Sequence, residues 1–95
     1  MVLGATDGWH MTQKRYPCAC CGFITLHERP PGTFEICPVC NWEDDDVQFA
    51  DPKAQGGANR VSLEEARDNF RTHGAAEPEF RDRVRRPTAS EMPPG

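Results

Sequence analysis

Most of what would announce a function is missing from this 95-residue chain. No stretch approaches the roughly twenty apolar residues of a membrane span. Met1 to Arg15 contains Asp7, His10, Gln13 and Lys14 and no apolar h-region, so a cytoplasmic chain is expected rather than a secreted one. There is no Ser/His/Asp set, phosphate loop or nucleotide fingerprint, and no internal repeat. His10, His27 and His73 form no pair with ligand spacing. These absences predict a protein that is not an enzyme.

Basic charge is scarce where a nucleic-acid binder would need it. The formal net charge is −4, divided as +1 over residues 1–15, −5 over 16–74 and 0 over 75–95. Phosphate neutralisation by Lys and Arg supplies most of the affinity for nucleic acid, so an acidic centre argues against that class. The run Arg81, Arg83, Arg85, Arg86 is read as a solvated tail. A zinc ribbon that binds nucleic acid therefore ranks below the other readings.

What the chain does have is cysteine. Four of its five cysteines form two C-x-x-C steps, Cys18-Ala19-Cys20-Cys21 and Cys37-Pro38-Val39-Cys40, with fifteen residues between the inner pair. That spacing falls in the range of a structural zinc site. A cytosolic chain keeps its thiols reduced, and an odd count cannot pair completely, so the pattern means metal rather than disulfides. In a zinc knuckle the chain turns sharply after the second cysteine, where a residue tolerant of left-handed backbone is favoured. Gly22 follows Cys21 and Asn41 follows Cys40. The expected ligands are thus Cys18, Cys21, Cys37 and Cys40, holding one structural Zn2+; a four-cysteine site also accepts iron, and zinc is the expected metal. Such a site is closed, with no position left for water or substrate. Cys20 is left over, as a spare thiol, an exchangeable ligand or a redox-reactive group.

Gly22-Phe23-Ile24-Thr25-Leu26 and Thr33-Phe34-Glu35-Ile36 read as two short strands separated by the turn chemistry of His27 to Gly32. As a hairpin they would carry one C-x-x-C step at each end, which is the zinc-ribbon arrangement. Phe34 and Ile36 share one face of the second strand, expected to be the buried one, and Glu35 the other. Glu43 to Asp46 is read as a solvated acidic turn or protein-docking patch, Val47-Gln48-Phe49 as a third strand, and Trp42 as core. The clearest helix spans 63–73. Ser62-Leu63-Glu64-Glu65 forms a capping box, Arg71 and His73 suit the last turn, and Gly74 is a natural terminator. Its stripe of Leu63, Ala66 and Phe70 should lie on the sheet beside Trp42 or Phe49. The expected fold is a small metal-stapled α+β unit, zinc-ribbon or rubredoxin-like. It has a β-hairpin or three-stranded antiparallel sheet and one C-terminal helix.

Domain boundaries follow from composition: a flexible segment over 1–15, one zinc-binding domain over 16–74, and a disordered Pro- and charge-rich tail over 75–95. A unit below about 70–80 residues needs a staple to reach useful stability. Met11, five residues before Tyr16, is the expected natural start.

Tyr16-Pro17-Cys18-Ala19-Cys20-Cys21-Gly22, Glu35-Ile36-Cys37-Pro38-Val39-Cys40 and Trp42-Glu43-Asp44-Asp45 resemble the cysteine-rich CPCC family of small bacterial proteins. Val47 to Pro52, Gly56-Gly57-Ala58-Asn59 and the helix from Ser62 to Phe70 extend the likeness over about 16–73. The family name implies proline where this chain has Ala19, which removes a fixed φ from the first knuckle. The resemblance implies a metal-binding domain without a known biochemical role, and it carries over no catalytic residues. The leading expectation is a zinc-stabilised module whose partner is another protein. The alternative is thiol redox work or zinc-linked redox sensing through Cys20.

Overall fold

The computed structural model describes residues 14–94. The expectations for His10, for a start at Met11 and for most of the 1–15 segment lie outside the described residues.

Strands β1 (Tyr16–Pro17) and β2 (Ile24–Leu26) pair antiparallel, with Tyr16 opposite Leu26 and Pro17 opposite Ile24 across a bulge. The first C-x-x-C step is the turn between them. Cys18 N–H donates to Phe23 O at 2.9 Å and Gly22 N–H to Cys18 O at 2.8 Å. The second step repeats this geometry: Cys37 N–H donates to Trp42 O at 2.9 Å, Asn41 N–H to Cys37 O at 2.8 Å, and Ile36 bridges Glu43. Gly22 at φ 81 and Asn41 at φ 70 make the left-handed turn in each.

The expected hairpin of 22–26 with 33–36 is therefore corrected. No backbone ladder joins those segments among the described residues. They meet through side chains, Thr25 Oγ1 lying 3.1 Å from Cys37 Sγ while the Glu35 carboxylate accepts the His27 N–H. Each segment pairs across its own knuckle, where Gly22 and Asn41 in left-handed backbone reverse the chain. The faces are corrected too. Cys37 must point inward, so by alternation Glu35 turns inward and Phe34 and Ile36 turn out, at 55% and 54% exposed.

The expected third strand is a helix, α1 (Asp46–Ala50). Asp45 caps it, its Oδ1 accepting from Gln48 N–H at 3.0 Å, and Asp46 sits in the first turn. Capping chemistry here overrides the β-propensity of Val47 and Phe49. The buried member of α1 is polar Gln48, while Val47 and Phe49 are exposed.

Helix α2 (Leu63–His73) forms as the capping residues predict. Ser62 Oγ accepts from Glu65 N–H at 3.0 Å, and Gly74 ends the helix at φ 81. Leu63 and Ala66 are fully buried in one cluster with Leu26, Val39, Trp42, Ala76 and four of the cysteines. Phe70 meets Phe23 edge-on at 6.1 Å. Of the two neighbours expected for this stripe, Trp42 shares the core and Phe49 does not.

Residues 75–94, read from composition as a disordered tail, fold back over the second knuckle. Ala76 N–H donates to Cys40 O at 2.7 Å and Arg85 N–H to Pro38 O at 3.1 Å. Ala75, Ala76, Glu77 and Glu91 are buried. Short 3₁₀ turns at Pro78–Arg83 and Ala89–Glu91 carry the chain along, and Arg85 forks onto Glu91 at 2.9 and 2.8 Å. Composition misjudged this segment because two small alanines and two paired carboxylates are enough to seat it.

Candidate metal centre

The two knuckles face each other and bring four sulfurs together. The Sγ atoms of Cys18, Cys21, Cys37 and Cys40 all lie within 4.8 Å of one another. Cys18 lies 3.6 Å from Cys40 and Cys21 3.7 Å from Cys37, so each close pair joins one knuckle to the other. All five cysteines are free thiols. A regular tetrahedron with metal–sulfur bonds of about 2.3 Å has edges of about 3.8 Å, so the four sulfurs fit a tetrahedral thiophilic cation. Cys18, Cys37 and Cys40 are buried, and Cys21 alone of the four reaches toward solvent.

Cys37 is held far below the usual thiol range, chiefly by hydrogen bonding from Cys18, then from Cys21 and Cys40, with the Thr25 hydroxyl adding to it. Cys21 and Cys40 are pushed far up, chiefly by hydrogen bonding to Cys18, and Cys20 contributes at Cys40. Four anions this close repel one another, and a divalent cation at their centre lets all of them ionise. The Val39 N–H, 3.4 Å from Cys37 Sγ, supplies the backbone donor expected inside a knuckle.

Both knuckles are roofed by later segments of the chain. Arg67 on α2 reaches across to donate its Nε–H to Ala19 O at 3.0 Å, and the tail covers Pro38 and Cys40. Trp42 is fully buried against the cluster, and its Nε1 is the one buried side-chain nitrogen or oxygen without a partner among the described residues.

Cys20 lies outside the four-sulfur cluster and is 8% exposed within the core. His27 is taken by Glu35, Nδ1 to Oε2 at 2.6 Å, and His73 ends α2, so neither stands with the thiols. The Glu43–Asp46 stretch is not a solvated turn. Asp44 accepts from both Thr33 N–H and Thr33 Oγ1 at 2.9 Å, and Asp45 caps α1 and accepts from Ala58 N–H. Both are buried, leaving Asp46 exposed and Glu43 half-buried.

Several residues that hold the site escaped the sequence reading. Thr25 supports Cys37, and its place opposite a ligand has no local signature. Gln48 is fully buried, with Nε2 donating toward the carbonyls of Ala54, Asn59 and Val61. Its Oε1 accepts from the Asn59 amides. A polar residue between Val47 and Phe49 was the available hint.

Fold and thiol cluster together define a small cysteine-rich domain with four thiols placed so that they could hold a metal ion. The chain belongs to the cysteine-rich CPCC family, whose model matches residues 16–91. That match runs beyond the helix into the tail that roofs the second knuckle. No curated protein matches the chain significantly. Among the described residues no helix is long and apolar enough to cross a membrane.

Proposed function

We propose that the chain is a zinc-stapled protein-interaction module acting in the cytoplasm, with one structural zinc on Cys18, Cys21, Cys37 and Cys40. The observation that carries this reading is a four-sulfur cluster of tetrahedral dimensions placed inside the hydrophobic core rather than in an open cleft. Two knuckles that face each other, each with its own ladder, support the reading of a zinc ribbon reduced to those knuckles. Four thiolates fill the coordination of zinc and leave no position for substrate, so the metal's contribution is to folding. Structural zinc sites supply apparent binding free energies of about 10–16 kcal/mol, much of it folding energy. The burial of Cys20 supports a thiol that fills space, so the module reading outranks redox work.

Metal analysis of the purified protein, chelator titration followed by circular dichroism, and capture of partners on the immobilised holoprotein test this reading. One zinc per chain, unfolding on chelation and a specific partner are expected. A chain that stays folded after complete metal removal overturns the staple, and a holoprotein that captures nothing overturns the module.

A further inference from the structure

The tail that roofs the second knuckle also closes a cleft beside it. The bond from Ala76 N–H to Cys40 O brings Glu77 alongside Asn41 in the lining. Asn59 grips the main chain of Glu43, its Oδ1 accepting the N–H at 2.8 Å and its Nδ2 donating to the C=O at 2.7 Å. Knuckle, loop and tail thus meet around an open cleft of about 380 Å³, whose lining includes Asn41, Glu43, Arg60, Glu77, Glu79 and Phe80. That volume is at the small end of the roughly 300–1,000 Å³ of ligand clefts. Three carboxylates face one guanidinium there, a net charge of −2. Arg83 lies over the Phe80 ring without lining the cleft.

One of those carboxylates is only half used. The Glu77 side chain is 5% exposed, and Arg60 sends both Nε–H and Nη2–H to the same oxygen, Oε1, at 3.0 and 2.5 Å. An arginine–carboxylate fork ordinarily spans two oxygens. Here Nη2 turns on to Glu79 Oε2 instead, and Glu77 Oε2 accepts no hydrogen bond among the described residues. Since Trp42 Nε1 is the one sealed side-chain atom without a partner, Glu77 Oε2 is reachable, and the cleft that Glu77 lines is its opening. A carboxylate oxygen this enclosed is short of water as well as of protein donors, and an added donor there makes a strong charge-assisted bond. The Glu43 carboxylate and the Asn41 carboxamide line the same cleft. Neither makes a hydrogen bond or ion pair among the described residues.

We propose that this cleft binds the side-chain ammonium of a lysine presented by a protein partner. The negative lining calls for a cation, and the enclosed acceptor decides which kind. Glu77 has one oxygen to offer; a guanidinium fork needs two, whereas a compact ammonium carries three rotatable donors. Glu77 Oε2, the Glu43 carboxylate and the Asn41 amide oxygen match those donors in number. Phe80, half-buried in the wall, gives the aliphatic stem an apolar surface to lie along. Because the cleft is open rather than enclosed, it suits a side chain whose main chain stays outside better than a whole small molecule.

The probe is the blocked tripeptide acetyl-Gly-Lys-Gly-amide, titrated into 15N-labelled, zinc-loaded full-length protein. Saturable shifts centred on residues 41–43 and 77–80 are expected. The same peptide with its lysine Nε-acetylated should produce none, and the arginine peptide should bind more weakly. Glu43→Gln, whose carboxylate holds nothing in the fold, should keep its zinc and its spectrum and bind the lysine peptide about two- to fivefold more weakly. Glu77→Gln should weaken binding at least about tenfold. Shifts centred elsewhere, equal binding of the acetylated peptide, or wild-type affinity in both variants overturns the proposal. Spermidine binding more tightly than the peptide overturns the choice of a protein as the source of the ammonium. The proposal rests on the interaction-module reading, so wild type, Glu43→Gln and Glu77→Gln are also compared as baits. Unchanged capture by both variants overturns the cleft and leaves the module standing, whereas capture by none of the three overturns both.

Discussion

Cys20 and Val39 occupy the same place in the two knuckles. Each is the third residue of a C-x-x-C step, each stands two residues before the left-handed turn residue, and they are 8% and 2% exposed in one core. The correspondence extends outward: Pro17 pairs with Ile24 as Ile36 bridges Glu43, and Phe23 receives the Cys18 amide as Trp42 receives that of Cys37. The position is apolar in the second knuckle, and a buried cysteine behaves as a small hydrophobe.

Cys20→Val should therefore keep one metal per chain and an unchanged spectrum, whereas Cys40→Ser should lose stoichiometric metal. Elemental analysis of both proteins after gel filtration decides it. Loss of metal from Cys20→Val would show that Cys20 belongs to the ligand set.

Phe34 lies in left-handed backbone at φ 59, so relief of strain there has a direction in stability. Phe34→Gly should gain up to about 1 kcal/mol, the left-handed penalty of a bulky residue less the extra chain entropy of glycine. Phe34→Ala keeps the penalty and should gain nothing. Denaturation midpoints of the zinc-loaded proteins read the difference.

Adjacent glycines should respond unequally. A Cβ at Gly57 would lie 2.8 Å from Asp45 Oδ2 and 2.9 Å from the Gln48 carboxamide, both buried and already bonded. Gly57→Ala should cost about 1–3 kcal/mol as the Gln48 network is forced apart. Gly56 has open space around it and a φ of 75, so Gly56→Ala should cost only about 1–2 kcal/mol of backbone strain. Urea unfolding of both variants provides the comparison.

The roof over the second knuckle should respond to acid. Arg85 holds the Glu91 carboxyl down at about 2, against an ordinary value of 4.5, and Thr88 N–H assists. Because the folded value is the lower one, the ion pair stabilises the seated tail above about pH 4.5, and that contribution is lost as pH falls toward 2. Glu91→Gln should lack it already at neutral pH and show a flatter profile. Amide protection in residues 85–91, compared between wild type and Glu91→Gln at each pH, separates this effect from acid loss of metal.

Removal of residues 75–95 tests the tail more directly. The truncated protein should bind metal but release it to a chelator several-fold faster, because the carbonyls of Pro38 and Cys40 lose their donors and the knuckle is uncovered. Release rates equal to those of the full chain would show that the tail only lies over the site.

How much was legible in the sequence depended on how local the cause was. Helix α2 was read to the residue, because Ser62, Glu65 and Gly74 act within one turn of its ends. The convergence of the four cysteines was legible for the same reason, since spacing and the residues Gly22 and Asn41 belong to each knuckle alone. The strands were misjudged because β-pairing is a choice of partner. Phe34 and Ile36 looked like a buried face until Cys37 set the alternation. Val47 and Phe49 looked like a strand until the Asp45 cap took them into α1.

By itself, then, the sequence determined the family, the four-thiol cluster and the one long helix. Each follows from residue type at fixed short spacing, where backbone geometry leaves few alternatives. Tertiary structure alone decided that each knuckle closes on its own ladder, that the tail is part of the domain, and that Cys20 stands where the other knuckle has a valine. Those outcomes depend on which distant groups compete for the same buried space and the same unpaired carbonyls, and no window of neighbouring residues contains that competition.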